Sequence, residues 1–161
     1  MKMRTIIVAL AFCVAACAAS FAAAVSFAAD DANVGTWKLN DAKSKIPAGM
    51  SKNTSVVYTA DGDNYKAVVD GVDGSGKPTH NEWTGKFDGK DYPVTGDPTA
   101  DTRAINKVDD RNYQLTNKKD GKPTTTGTIT LSADGKTRTL VTHATDAKGK
   151  KVSGTSVYDK Q

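Results

Sequence analysis

The residues that could perform acid, base or nucleophilic chemistry are few in this chain. His80 and His143 are the only histidines among its 161 residues, and Glu82 is the only glutamate. There is no Gly-x-Ser-x-Gly segment of the kind that holds a serine nucleophile at a sharp turn. The aspartates stand mostly in turns, where hydrogen bonds to the local backbone account for them. We therefore expect no enzymatic activity and no cofactor.

His80 and Glu82 are the one pair with the spacing of metal ligands. Two residues apart on a strand, their side chains would share a face, and a third ligand would complete a weak surface site. Thr84 and Lys86 continue that face, which is the pattern of a solvated surface. We therefore assign neither residue as a metal ligand. An envelope stress protein with such a surface metal site is the weakest of three functional hypotheses.

The aromatic and arginine residues favour the first hypothesis, a binding site for a small molecule. Trp37, Trp83 and Tyr113 are expected to face inwards and to stack on a partly apolar ligand. Arg103 or Arg138 would meet any anionic part of that ligand. Residues with small or polar side chains occupy other inward positions: Gly85, Asn117, Gly127, Thr142, Gly154 and Ser156. Both a filled core and a ligand cavity are consistent with this mixture of sizes.

The elements that must position these residues are β-strands. Apolar and polar residues alternate from Val34 onwards, and turn signals interrupt the alternation about every 8–15 residues. The predicted strands are 34–39, 55–60, 65–72, 79–87, 91–95, 102–108, 112–118, 124–132, 137–144 and 152–158. Short turns make sequence neighbours antiparallel neighbours in space, and closure removes the exposed edges of a large sheet. The prediction is an all-β, antiparallel up-and-down meander of about 8–10 strands closed into a barrel, with a half-open coiled sheet as the alternative.

The hairpin over residues 124–144 is the most specific local prediction. A two-residue loop at Asp134-Gly135 places Ile129 opposite Leu140, which matches apolar with apolar. A type I turn with a bulge at Gly135 would shift this pairing by one residue.

Residues 40–53 are predicted to form a long loop. Pro47 and Gly49 interrupt them, and they carry no helical apolar stripe. Ile46 and Met50 would then act as plugs. In the second functional hypothesis the barrel is filled and serves as an interaction module, which docks a protein or a cell-envelope glycan through this loop or through a strand edge.

Residues 1–29 are predicted to be a secretory signal peptide. Two basic residues precede a long, alanine-rich apolar run, and small residues come before the acidic pair that begins at Asp30. Cleavage after Ala28 or Ala29 would export residues 30–161 as a single β-barrel domain to the periplasm or the medium, without a membrane span.

Lipidation is the alternative to this cleavage. Val14-Ala15-Ala16-Cys17 resembles the bacterial lipobox, in which the cysteine carries a lipid anchor. Cys13 and Cys17 both lie in the leader, so the exported part contains no disulfide. The whole chain has a net charge of +4, and losing the two leader cations leaves +2, which is too small for a nucleic-acid surface. We expect a monomer whose partner is a small apolar or amphipathic molecule.

Both ends of the exported part resemble a known superfamily. Gly35-Thr36-Trp37-Lys38-Leu39 resembles the first strand of calycins, the lipocalin and fatty-acid-binding superfamily of meander barrels. Ser156-Val157-Tyr158-Asp159-Lys160 is similar to the last strand of intracellular fatty-acid-binding proteins, and the resemblance implies a ligand-binding barrel. Ser156 stands where those proteins carry an arginine that grips a carboxylate, so a fatty-acid ligand is not implied. The chain also resembles a group of uncharacterised secreted bacterial proteins, notably over Asp88–Gly96, and that likeness implies no activity.

Overall fold

The computed structural model describes residues 31–145 and 149–161. The predicted signal peptide, its cleavage positions and the alternative lipidation residue Cys17 lie outside the described residues. The described residues form ten strands: β1 (Gly35–Leu39), β2 (Lys52–Asp61), β3 (Asn64–Val72), β4 (Pro78–Gly85), β5 (Asp88–Thr95), β6 (Thr102–Lys107), β7 (Asn112–Lys119), β8 (Lys122–Leu131), β9 (Thr137–Thr145) and β10 (Lys151–Lys160).

The strands form one closed barrel that keeps the order of a meander. Each strand pairs antiparallel with the next along the chain, and β1 pairs with β10, where Leu39 lies opposite Tyr158. The predicted all-β, up-and-down barrel is therefore confirmed, and the half-open sheet is wrong. This architecture is compatible with a calycin-like fold. None of the described residues belongs to a helix that is long and apolar enough to cross a membrane.

Alternation along the strands places the large apolar side chains inside the barrel, as the sequence predicts. We call the end of the barrel at which β1 begins and β2 turns into β3 the floor, and the opposite end the mouth. The buried core consists of Trp37, Val56, Tyr58, Ala67, Val69, Trp83, Val94, Ala100, Ile105, Tyr113, Leu115, Ile129, Leu131, Leu140 and Tyr158. The largest of these side chains are aromatic rings, and most of them lie near the floor.

The hairpin of β8 and β9 has the predicted register but a different turn. Ile129 lies opposite Leu140, as predicted. The N–H of Ser132 donates to the carbonyl of Thr137, so the loop comprises residues 133–136 rather than the Asp-Gly pair alone. The loop is longer by one residue on each side, and a symmetric extension does not shift the pairing. The register is confirmed, and the two-residue loop is wrong.

The turn between β4 and β5 comes earlier than predicted. Alternation predicts a strand as far as Phe87, but β4 ends at Gly85. The ring of Phe87 instead stacks on Tyr65, with 4.1 Å between the ring centroids and 5° between the planes. Asp88-Gly89-Lys90, which separates the predicted strands 79–87 and 91–95, forms an irregular start of β5, where Gly89 has a φ of 77°. Burying the aromatic ring among others is more favourable than continuing a regular strand.

Residues 40–51 cover part of the mouth. A 3-10 turn at Asp41–Lys43 is followed by a β-bridge between Lys45 and Thr155. Pro47 and Met50 lie against Gly154 on the inner face of β10: a Cβ atom on that glycine would meet the Pro47 Cδ at 3.3 Å and the Met50 Sδ at 3.4 Å. Met50, predicted to be a plug together with Ile46, is half-buried against this inner face, whereas Pro47 is exposed and the role of Ile46 stays a prediction.

Candidate functional site

The three rings predicted to stack on a ligand lie in the filled part of the barrel. Trp37 and Tyr113 are 0% exposed and Trp83 is 1% exposed, so no water-sized space adjoins them. The Trp37 Nε1 donates to the Asn33 carbonyl at 2.9 Å, which satisfies its one polar atom. A ligand would reach these rings only by displacing other side chains, and their ligand contact stays a prediction.

Phe87 is the centre of the aromatic cluster in the floor. Its ring centroid lies 6.0 Å from that of Tyr58, 5.4 Å from that of Tyr113 and 6.2 Å from that of Trp83. The contacts with Tyr58 and Tyr113 are edge-to-face, and the Trp83 ring is parallel to that of Phe87. Such pairs add to the stability gained from burial alone. The floor is thus a packed core rather than a cavity.

The segment before β1 completes the floor with polar groups. Buried Asp31 accepts a hydrogen bond from the Tyr113 hydroxyl and lies 3.0 Å from the Lys107 Nζ. Burial, followed by the bond to Asp31, raises the pKa of Tyr113 far above its ordinary value. The backbone N–H of Asn33 donates to the same carboxylate at 3.0 Å. Sequence reasoning missed Asp31 and Asn33, because no alternation reaches them and they directly follow the leader.

Arg138 is a buried cation at the boundary between the floor and the rest of the interior. Its side chain is 2% exposed, and its Nε donates to the Asn33 Oδ1 at 3.2 Å. Its guanidinium carbon lies 5.2 Å from the Tyr158 ring centroid and 5.8 Å from that of Tyr58. No carboxylate of residues 31–145 or 149–161 lies within 4.0 Å of it. The Arg138 Nη1 and the Asn33 Nδ2 are buried without a hydrogen-bond partner.

Arg103 is the second buried arginine, and its guanidinium group is much better supplied with acceptors. The Nε donates to the Asn117 Oδ1 at 2.8 Å, and the Nη2 donates to the Asn81 Oδ1 at 3.3 Å. The Nη2 also lies 3.6 Å from a carboxylate oxygen of Asp97, which is 13% exposed. Burial is the main cause of a lowered Arg103 pKa, and the charge of Arg138 acts in the same direction. The Arg103 carbonyl accepts from the Trp83 Nε1 at 2.9 Å.

Small residues line the inner face of β8, β9 and β10 towards the mouth. Gly127, Thr142 and Gly154 lie side by side on the three strands, so this row carries only one side chain beyond Cα. Thr142, Ala144 and Ser156 face inwards by alternation, yet they are only half-buried. These inward positions therefore keep some solvent accessibility, whereas Arg138 and Tyr158 on the same strands are at most 2% exposed.

Among the concave regions formed by the described residues, two lie at the mouth. One of about 310 Å³ adjoins the ends of β8, β9 and β10 and includes Thr125, Ala144 and Val152 in its lining. The other, of about 470 Å³, lies between the β3–β4 turn and the β5–β6 connection. Asp97 lines this second region, and the carboxylate of Asp97 also faces Arg103. Arg103 therefore lies behind a residue of the mouth.

The predicted metal pair lies on the outer surface of the barrel. The His80 Nδ1 is 2.6 Å from the Asp70 Oδ1, and the His80 Nε2 is 3.6 Å from the Glu82 Oε1. The bond to Asp70 is the main cause of a raised His80 pKa. Lys66 lies 2.9 Å from the other side of Glu82, and its ion pair lowers the pKa of that glutamate. Within the described ranges no three histidine, cysteine or acidic residues come together as a set of metal ligands.

No protein-family model matches the chain, and no curated protein is significantly similar to it.

Proposed function

We propose that this protein is an exported, calycin-like barrel that binds a small, partly apolar molecule in the half of its interior nearest the mouth. The observation that supports this best is that inward-facing Thr142, Ala144 and Ser156 stay half-buried, whereas the rings of Trp37, Trp83 and Tyr113 are at most 1% exposed. A barrel that served only as a packed scaffold would be expected to fill these positions with larger side chains. Instead, these three positions carry small side chains, and the residues that pair with Thr142 on both neighbouring strands are glycines.

The surroundings of this space suit an amphipathic guest. Leu115 and Leu140 supply apolar surface, and the hydroxyl groups of Thr142 and Ser156 supply hydrogen-bonding groups. Binding pockets for small molecules combine apolar walls with a few polar groups in this way. Met50, which is unbranched and adaptable, lies over Gly154 and would move aside to admit the ligand.

A fluorescent dye tests the proposal. We expect phenylnaphthylamine, which is apolar and environment-sensitive, to gain fluorescence with the purified protein. Thr142→Leu fills the space between the two glycines and should weaken dye affinity by about tenfold, or about 1.4 kcal/mol. The matched control is Val141→Leu, which adds a leucine one position away on the outer face and should leave the affinity unchanged.

The filled-barrel interaction module is the alternative, favoured by the packing of the floor. If the dye shows no fluorescence gain, or if both leucine variants bind it as the original protein does, the small-molecule proposal fails. Docking of a protein or an envelope glycan through residues 40–51 then becomes the better hypothesis. Mass spectrometry of the exported protein separates cleavage after Ala28 or Ala29 from lipidation at Cys17.

A further inference from the structure

The two buried arginines are not equivalent, and the difference identifies the charge of the ligand. We infer that the ligand carries an anionic head group, a carboxylate or a phosphate, and that this group binds at Arg138 and Asn33. Arg103 is a positioning residue, which links β6 to β7 and β4 through its hydrogen bonds to Asn117 and Asn81. The inference rests on the proposed function, since it specifies the ligand of the same interior site.

The buried charges of the barrel differ in whether they have a partner of opposite sign. The buried Arg103 faces Asp97, and the buried carboxylate of Asp31 faces the exposed Lys107, so each of these charges has a partner of opposite sign. Arg138 has none among the described residues and is surrounded by the rings of Tyr58 and Tyr158. An isolated charge in a protein interior is strongly unfavourable unless an opposite charge or several hydrogen bonds compensate for it. An anion from outside would supply that compensation.

Two buried donor nitrogens near the floor have no hydrogen-bond partner among the described residues. Both unpartnered nitrogens, the Arg138 Nη1 and the Asn33 Nδ2, belong to side chains that are at least 98% buried. The 3.2 Å hydrogen bond between these two side chains keeps them together. An unpartnered N–H of a charged guanidinium group and an unpartnered amide N–H of the side chain bonded to it suit the oxygens of a carboxylate or phosphate group. Buried donors without partners are rare in proteins, because each lost hydrogen bond costs free energy.

Arg138 lies on the floor side of the half-buried inward positions of β9 and β10. Arg138 lies opposite Tyr158 in the pairing of β9 with β10, and the next inward pair towards the mouth is Leu140 and Ser156. Beyond that pair comes the row that contains Thr142 and its two glycines. A ligand beside the half-buried Thr142, Ala144 and Ser156 would therefore point one end towards Arg138, with its apolar part towards the mouth. The side chain of Tyr158 must shift for the head group to reach the guanidinium group.

Arg103 provides the contrast. Its side chain already donates to Asn117 and Asn81 and faces Asp97. An anion at Arg103 would compete with a carboxylate that is already in place, and like charges at one site repel each other. Among the described residues, Arg138 is thus the buried cation that is available to an anion.

Two dyes that differ in one charged group test this inference. Anilinonaphthalene sulfonate and phenylnaphthylamine share the same aromatic skeleton, and only the former is anionic. We expect the original protein to bind the sulfonate more tightly than the neutral dye. Arg138→Met should weaken sulfonate binding about 10-fold to 100-fold more than it weakens binding of the neutral dye, which is the effect of losing a charged hydrogen bond. Arg111→Met is the matched control, since Arg111 is exposed on the β6–β7 turn.

The outcomes separate this inference from the proposed function. If the neutral dye binds and the sulfonate has no advantage, or if the advantage survives Arg138→Met, the inference is overturned and the proposed function stands. Loss of the advantage in Arg103→Met but not in Arg138→Met also overturns it. If neither dye binds, both fail.

A second measurement uses only the original protein and therefore does not depend on a variant that folds. Dodecanoate and dodecyl phosphate should raise the melting temperature, because a ligand that binds only the folded state stabilises it, whereas dodecanol should raise it less. The larger of the first two shifts distinguishes a carboxylate from a phosphate head group. An equal rise with dodecanol would overturn the inference.

Discussion

Asn33 and Arg138 illustrate at the level of single residues what alternation can and cannot reveal. Alternation along β9 correctly predicts that Arg138 points inwards, and the structure finds it 2% exposed. The neighbour that accepts its hydrogen bond is 105 residues away in sequence and lies before the first strand. No local pattern indicates this contact, since it arises only when the barrel closes.

The double substitution Asn33→Leu with Arg138→Met should stabilise the ligand-free protein by about 1–3 kcal/mol. It removes a buried charge without a carboxylate partner and two unpartnered donors, and apolar groups of similar size can replace such pairs at a gain. Urea unfolding measures the change. Arg138→Met alone should give a smaller gain, because it leaves the Asn33 side chain without its partner. A less stable double variant would show that both groups are already satisfied in the ligand-free protein.

Among the elements, β4 and β5 form the least extensive pair in the described barrel. They pair through Glu82–Thr95 and Trp83–Val94, whereas β3 and β4 pair along their whole length. Towards the floor the ring of Tyr92 fills the gap, lying so close to Gly85 that a Cβ there would be 2.5 Å from the Tyr92 Cγ. Sequence reasoning predicted both strands, but it could not predict how far they separate, because the separation depends on the Tyr92 and Phe87 rings.

Gly85→Ala should destabilise the barrel by about 1–3 kcal/mol, because the added methyl group must displace the Tyr92 ring. Thermal unfolding measures the loss, and Gly62→Ala is unsuitable as a control because its φ of 58° adds backbone strain. Thr84→Ala is the better comparison, since Thr84 is exposed beside Gly85. Equal stability of the Gly85 and Thr84 variants would contradict the role given to Tyr92.

Amide hydrogen exchange gives a second test at this scale. The backbone amides of β5 should exchange faster than those of β8 and β9, because local opening requires the loss of fewer ladder hydrogen bonds. Mass spectrometry of peptides from the labelled protein resolves the two regions. Equal protection would mean that the β4–β5 pair is no weaker than the others.

At the scale of the whole molecule, the segment before β1 joins distant strands across the floor. Asp31 reaches Tyr113 on β7 and Lys107 on β6, and Asn33 reaches Arg138 on β9. These contacts fix the segment before β1 against strands that are distant from it in sequence. Closure of the barrel therefore depends on polar contacts in the floor as well as on the pairing of β1 with β10.

Asp31→Ala should destabilise the protein by about 1–3 kcal/mol, because it leaves the buried Tyr113 hydroxyl without its acceptor. Adding Tyr113→Phe to this variant should recover part of the loss, since both partners are then removed. A double-mutant cycle by urea unfolding measures the coupling. Additive effects of the two substitutions would contradict the floor contact.

The sequence alone was sufficient for the strands, their antiparallel order and the inward position of Trp37, Trp83, Tyr113, Arg103 and Arg138. Period-two alternation and turn residues are local properties, and they specify which face of each strand is apolar. It also specified the register of β8 with β9, although not the length of their turn. These features depend on residues that are close together in the chain.

Only the tertiary structure decided which inward residues meet and which stay unpaired. The packing of the floor rings, the polar contacts of Asp31 and Asn33, and the contrast between Arg103 and Arg138 all join residues that are distant in sequence. Whether a buried charge has a partner depends on which strands face each other across the barrel. Alternation gives the direction of a side chain, and closure decides what lies in front of it.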